Sequence, residues 1–537
     1  MTTPAAADAP SAIVSKFIAL WNYPILRSPI GLAVLIAIVV AICGCRAWIG
    51  LAGMQEYCHD AFMMLDGAWR MLNGQRPHID FFTNVGMLAY APTAVGLWMA
   101  HNHAQGFGYG QALAGFLLAA WAYFLGRKRL SGLPLALFCI AIAFVATAPS
   151  ALGFSPLRTA PGMTYNRYAY ALLALLLLEA IGWRDLSNRA RFWGGISTGA
   201  VIAILLFLKI SAFACAIFLL VALIPCQRQT THRWAGLVAG FAACLAAFCA
   251  YVGFDMRPMI HDLRILAGAR HFWFAYRVDA IFQSAILLCA FAIAAALLLY
   301  ARNDRRGFRS IAVAGIAVSI AGALLILGNY ELAGCPLAIF LAILVIERVN
   351  ARPIGRPHPF GLFHASILLL GSAFIIGSLA SGAMAASNGL YRALWKARFA
   401  PEMHSRLLSG FVPVGPDQPY TNFVNDGLGL VKKYRRPGDT VMSLDFTNPF
   451  SYGLAMPPAP GGATVLQYGS TFDNVHRLSA ERLFGKADFV MLPKNFSDPT
   501  LKDTIGRIYG LYLESHFTKL GESRFWSIFR KKEDVTN

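Results

Sequence analysis

The 537-residue chain is 57% hydrophobic and only 14% charged, with a formal net charge of +19. Soluble globular domains carry about 25% charged residues, so the composition excludes a purely soluble chain. The positive balance does not argue for a nucleic-acid partner either, because the basic residues stand in short connections between apolar runs, where they set the orientation of a membrane protein.

Apolar runs on the scale of a bilayer core lie near 30–53, 86–101, 108–126, 131–149, 168–183, 193–208, 210–226, 234–254, 280–301, 310–328, 332–347 and 361–382. The first 28 residues show no cleavage-site pattern, so the first run is expected to stay in the protein. Basic clusters follow several of the runs: Arg127-Lys128-Arg129, Arg184/Arg189/Arg191, Arg228/Arg233, Arg302/Arg305/Arg306/Arg309 and Arg348/Arg352/Arg356. If every run crossed the membrane, the first of these clusters would face outward, against the rule that positive loops stay in the cytoplasm. Segment 86–101 is among the shortest runs, contains Pro92 and is led by Gly86. Read as a juxtamembrane or re-entrant element, it brings all five clusters to the cytoplasmic side.

The expectation is a polytopic α-helical membrane protein of about eleven spans (eleven to thirteen), with a cytoplasmic N-terminus and a transmembrane domain over 1–382. Its outer side holds a first loop over 54–107, a second over 255–279 and everything after 382. From 383 the chain turns polar. A helical pattern at 420–434 ends at Arg436-Pro437-Gly438-Asp439, strand-like runs follow at 440–446 and 487–493, another helix spans about 498–515, and a last strand covers 524–530. That alternation reads as a small C-terminal extracytoplasmic α/β domain over 383–537. The ten cysteines form no CxxC pair and fall almost wholly in apolar runs, so they read as core residues. There is no internal repeat and no GxxxxGK phosphate loop.

Charge concentrates in YCHDAFMMLDGAWRMLNGQRPHIDFFT, Tyr57 to Thr83. On a helix over 59–73, residues His59, Asp66, Arg70 and Asn73 share one narrow face, and Asp66 with Arg70 is an i,i+4 pair. The expectation is an amphipathic helix lying flat on the outer membrane surface with this face in water, so that Asp66→Asn is mild. Asp60 lies about 100° off that face. It is either a helix N-cap, a carboxylate that takes a proton from an acceptor hydroxyl, or both. Asp80, beside Phe81 and Phe82, is a second candidate carboxylate, and Glu56 is a weaker third.

These residues carry a resemblance. An acidic residue early in the first outer loop is followed by an amphipathic helix, by GlyGlnArgProHisIleAspPhePhe (74–82) and by a glycine-led apolar segment. The pattern resembles the GT-C superfamily of membrane glycosyltransferases, in particular the branch with protein O-mannosyltransferases and the lipid A aminoarabinose transferase. Similarity extends through MetThrTyrAsnArgTyr (163–168), the LeuLysIle turn at 208–210 and AsnProPheSerTyr (448–452). The resemblance implies a bacterial inner-membrane enzyme, a sugar donor on a polyprenyl phosphate, an outward-facing site and inversion at the anomeric carbon. It makes Asp60 the catalytic base. Many members have two adjacent acidic residues where this chain has His59-Asp60, which leaves the acceptor (a glycan, lipid or protein) and the use of a divalent metal open. No cofactor and no metal-ligand set is assigned.

A lipid-phosphate leaving group needs cations near the membrane surface. Lys209, between two apolar runs, Arg167, at the start of another, and Arg270, in the loop 255–279, are the candidates for the donor phosphate; snorkelling to the interface is the alternative for Lys209 and Arg167. Glu56, His59, Tyr165, Asn166 and His271 are candidates for substrate hydroxyls. Two other classes compete: a transporter or flippase of lipid-linked saccharide, which favours charges at the midplane and repeated halves, and a non-catalytic envelope-assembly scaffold.

Overall fold

The computed structural model describes residues 19, 21, 28–150, 155–160, 162–181, 186–270, 278–301, 303–328, 334–350 and 361–533. Up to Tyr391 it is built of helices: α1 (Pro29–Ile49), α2 (Cys58–Leu72), α3 (Met87–Met99), α4 (Gly106–Gly126), α5 (Gly132–Thr147), α6 (Thr164–Ala180), α7 (Asn188–Leu208), α8 (Ile210–Ala222), α9 (Thr231–Tyr251), α10 (Arg257–Ala269), α11 (Ile281–Ala301), α12 (Arg305–Leu327), α13 (Ala338–Asn350) and α14 (Gly361–Tyr391). Among the described residues, the seven helices long and apolar enough to cross a membrane are α1, α4, α7, α9, α11, α12 and α14. The other four of the expected eleven correspond to α5, α6, α8 and α13, which at 16, 17, 13 and 13 residues are, like α3, shorter than a full crossing. The segment read as juxtamembrane or re-entrant is α3, 13 residues with Pro92 inside it. At 1.5 Å per residue it is about 20 Å long, short of a core about 30 Å thick.

Local chemistry sets the breaks. Ser28 caps α1 by accepting from the Gly31 N–H, with Pro29 at the first helical position. Between α7 and α8, Lys209 is extended (φ −162°, ψ 117°), so one apolar stretch becomes two helices. Helix α6 is buried along its whole length, which places it at the centre of the bundle. Helices α7 and α9 meet backbone to backbone: a Cβ on Gly195 or Gly199 would stand 2.1 or 2.0 Å from the Arg233 or Leu237 carbonyl oxygen.

The chain after Pro401 folds around a small sheet. Strand β1 (Ala52–Met54), from the first loop, pairs in parallel with β2 (Val412–Pro413). After α15 (Pro419–Tyr434) come β3 (Val441–Ser443), β4 (Phe489–Pro493), α16 (Lys502–His516), β5 (Phe517–Glu522) and β6 (Trp526–Lys531). The four-stranded sheet has the order β3-β4-β6-β5, with β3 and β4 parallel and the other pairs antiparallel. Its core includes Trp526, whose ring lies 4.5 Å from Phe423 and 4.9 Å from Phe450 between centroids. The expected helices at 420–434 and 498–515 and strands at 440–446, 487–493 and 524–530 all appear, with edges shifted; β5 and the β1–β2 pair are additional.

The surface-helix reading of α2 is corrected. Asp66 and Arg70 have no solvent exposure and form a 2.8 Å ion pair. Residues 456–464 cover them: Arg70 Nη1 donates to the Ala459 and Gly461 carbonyls at 2.9 Å each, and Trp69 Nε1 donates to Met456 O. The polar face therefore meets protein in place of water. Of the four residues on it, only Asn73 is exposed and His59 partly so. Further bonds continue the junction, from Phe82 N to Gly462 O and between the Tyr90 and Thr464 hydroxyls.

Candidate functional site

The N-terminus of α2 is where polar groups from distant parts of the chain meet. Tyr57 occupies the N-cap position in a left-handed conformation (φ 56°), with no side-chain cap bond. Asp60 is thus the third residue of the helix, its N–H bonded to Tyr57 O at 3.0 Å. The N-cap reading of Asp60 is corrected accordingly: the cap position falls three residues earlier. Asp60 is 5% exposed. His59 Nε2 lies 3.5 Å from its Oδ1, and a Cβ added at Gly162 would stand 2.8 Å from its Oδ2. Burial pushes the Asp60 carboxyl above the ordinary carboxylate range; His59 pulls it back and the carboxylate of Asp417 pushes it further up.

The His59 ring is wedged between aromatic groups, 4.6 Å from Phe446 and 6.3 Å from Tyr420. Thr447 Oγ1 donates to His59 O. Asp445 lies buried behind it, accepting from Ser497 N and Oγ at 3.0 and 2.6 Å. On the other side, Gln55 N and Glu56 N both donate to Thr159 O, and the Glu56 carboxylate pairs with Arg158 at 3.2 Å. Glu56 thus ties the two loops together at the rim.

Four residues beyond Gly162, Asn166 is buried and its Oδ1 accepts from Lys209 Nζ at 2.7 Å. That ammonium also lies 5.4 Å from the Tyr165 ring. Tyr165, Asn166 and Lys209 therefore form one cluster, linked to Asp60 by the backbone turn at Gly162. Arg167 is buried and donates to the carbonyls of Ala148 and Ala160, the latter at 2.8 Å, so it braces the segment leading to Gly162. Beside it lies Arg46, 2% exposed, whose Nε donates to Gln111 Oε1 while its Nη2 has no partner.

Arg270 and Asp80 are not brought to this cluster by any described contact. Arg270 donates to Gly328 O at 2.6 Å. Asp80 accepts from Arg76 N and Nε at 2.7 and 3.2 Å, at the far end of α2. Asp60 and Leu72 are twelve positions apart on α2, about 18 Å of helix. Asp80 lines a separate polar cavity of about 720 Å³, with Gln75, Arg76, Arg482 and Lys486. His271 lies outside the described residues.

Sequence reasoning missed Arg46, Asp417, Tyr420 and Asp445. An arginine inside an apolar run was a usable signal for Arg46; the other three lie in the polar C-terminal part, where single acids and tyrosines carry no signal. Among the described residues, no group of three or more His, Cys, Asp or Glu side chains stands where it would hold a metal ion. Within the bundle, an apolar cavity of about 1020 Å³ runs between α5, α11, α13 and α14, with Ala148 and Ser150 on its wall.

No protein-family model and no curated protein matches the sequence. Among solved structures, the chain is similar to ArnT from Cupriavidus metallidurans. It is 13% identical to the apo structure, over 93% of this chain and 97% of that one, with a TM-score of 0.50. To the structure of ArnT bound to undecaprenyl phosphate it is 12% identical, over 95% and 100% of the two chains, with a TM-score of 0.51. The polytopic helical fold with a small C-terminal sheet is therefore shared with ArnT, and the resemblance read from residues 54–90 holds at the level of fold.

Proposed function

We propose that this chain, which has the fold of a GT-C membrane glycosyltransferase, transfers a sugar with inversion from a polyprenyl-phosphate donor to an envelope glycan, lipid or protein on the outer face of a bacterial inner membrane. One observation carries the reading. Among the described residues, the buried carboxylate of Asp60 has one side-chain partner within ion-pair distance, His59, and it faces the loop that leads into the Tyr165–Asn166–Lys209 cluster. A carboxylate so placed is a poor structural element and a good proton acceptor, because burial lifts its proton affinity towards that of a base working near neutral pH.

In the reaction, Asp60 takes the proton of the acceptor hydroxyl as its oxygen bonds to the anomeric carbon. The bond from that carbon to the phosphate oxygen breaks on the opposite face, and the lipid phosphate leaves with the electron pair. Lys209 and Arg167 supply the positive charge that the leaving phosphate needs, with Arg46 adding an unspent donor beside Arg167. Arg270, which donates to Gly328 O away from this cluster, would join the phosphate site only if the lipid phosphate drew it in. Asn166 sets the Lys209 ammonium, and Tyr165, His59 and Glu56 serve substrate hydroxyls. Asp80 has a secondary place, in the polar cavity at the far end of α2, on the acceptor's path. The apolar cavity suits a polyprenyl tail. An undecaprenyl phosphate is seen in ArnT, which supports the donor class assigned here. A divalent metal is compatible with the reading, and an assay with and without chelator reads it directly.

The test is deletion of the gene followed by mass spectrometry of envelope lipids, polysaccharides and glycoproteins. The expected result is loss of one sugar mass from one acceptor, with the lipid-linked donor accumulating. An unchanged envelope, or accumulation of the donor on the cytoplasmic side only, contradicts transfer and favours a flippase.

A further inference from the structure

We propose that Asp417 is a positioning residue that caps α2 from the C-terminal module and thereby holds Asp60 in the site. The proposal rests on Asp60 being the base. Its geometry is independent of that reading.

The first amides of any helix lack partners within the helix, and a nearby oxygen must take them. Tyr57 O takes the Asp60 amide, but the Tyr57 side chain, at the cap position, makes no cap bond to the helix. The acceptor is Asp417 Oδ2, 2.8 Å from Cys58 N and 359 residues away in sequence. A carboxylate there also meets the positive end of the helix dipole.

Asp417 is fixed in turn. It ends the turn Gly415–Asp417, directly after β2, and β2 runs beside β1. Val412 N donates to Leu51 O and Val414 N donates to Met54 O, at 3.1 and 2.6 Å. The C-terminal module thus grips residues 51–58 by a short backbone ladder and then by one carboxylate. Two residues after the capped amide comes Asp60. Docking of the module and placement of Asp60 are therefore one structural event.

Among the described residues, few groups face Asp60. His59 and Cys58 belong to its own helix, Gly162 comes from the loop before α6, and Asp417 from the C-terminal module. Two residues before Cys58, Glu56 is paired with Arg158. His59 draws the proton off Asp60, whereas Asp417 keeps it on. The Cys58 thiol feels the same environment: burial raises it most, followed by Asp417 and then Asp60.

Two variants separate the cap from the charge, both in the full-length protein in detergent or liposomes. Asp417→Asn keeps an oxygen for the Cys58 amide and removes the charge; Asp417→Ala removes both. The probe is dicyclohexylcarbodiimide, which reacts with protonated carboxyls in apolar surroundings, and labelling of Asp60 is followed against pH by peptide mass spectrometry. With Asp417→Asn, the pH at which Asp60 labelling falls to half should move down. With Asp417→Ala, amide exchange at the start of α2 should also rise about fivefold, the size expected for a lost cap. An unchanged labelling midpoint in Asp417→Asn, together with unchanged exchange in Asp417→Ala, overturns the proposal. Neither readout needs a sugar substrate. The base assignment fails separately, by retained transfer in an Asp60 variant.

Discussion

Asp60 combines two properties that conflict in a residue kept only for stability. It is buried, and its partners do not neutralise it. A buried carboxylate whose proton affinity is raised destabilises the folded state wherever it is ionised, that is, above its folded-state value; below the ordinary value of 3.8 both states are protonated and the penalty vanishes. Asp60→Asn should therefore raise the melting temperature at pH 7, with the gain shrinking as pH falls towards 4, in thermal unfolding of the purified protein. A lower melting temperature at pH 7 would mean that the charge serves structure. The residue was legible in sequence because it sits alone over the apolar side of α2. The position was misjudged by three residues as a cap, because the left-handed Tyr57 that begins the helix has no sequence signature. Lys209 was also legible singly, since it breaks an apolar pattern, and Tyr165 and Asn166 were legible in the polar stretch at 163–168. Their meeting was not, because the Asn166–Lys209 bond joins different helices.

At the scale of elements, α2 carries the largest departure from expectation. Its polar face at His59, Asp66, Arg70 and Asn73 is real in spacing, and amphipathicity alone assigns it to water. The structure assigns it to residues 456–464, which the sequence places almost 400 positions away. Breaking the Asp66–Arg70 pair leaves a buried charge without its partner, which costs about 3–5 kcal/mol. Arg70→Met should accordingly undock the C-terminal module, seen as rapid amide exchange in both α2 and residues 456–464. Asp66→Asn should be similarly severe and not mild. Mild effects on exchange from both substitutions would restore the surface-helix reading. The missed strands have a related cause. The two-residue β2 has no alternation to detect, and β5 follows α16 without a turn signal.

For the whole molecule, apolar runs and basic clusters were enough to read a polytopic helical protein with a polar C-terminal part. They could not show where the two parts meet. That depends on contacts between the first loop, the loop before α6 and the chain near 417, and on the buried cations Arg46 and Arg167 at one end of three neighbouring helices. These contacts bring the starts of α2, α6 and α8 together, and Ala148, whose carbonyl accepts from Arg167, stands on the wall of the apolar cavity. The most direct test is transfer by purified protein in liposomes carrying an extract of the native envelope lipids as donor and acceptor. Wild-type and Asp60→Asn proteins are compared after both are shown to be folded. The account predicts that Asp60→Asn lowers the rate about 100-fold or more while donor lipid still binds. Transfer by Asp60→Asn at near the wild-type rate would contradict it.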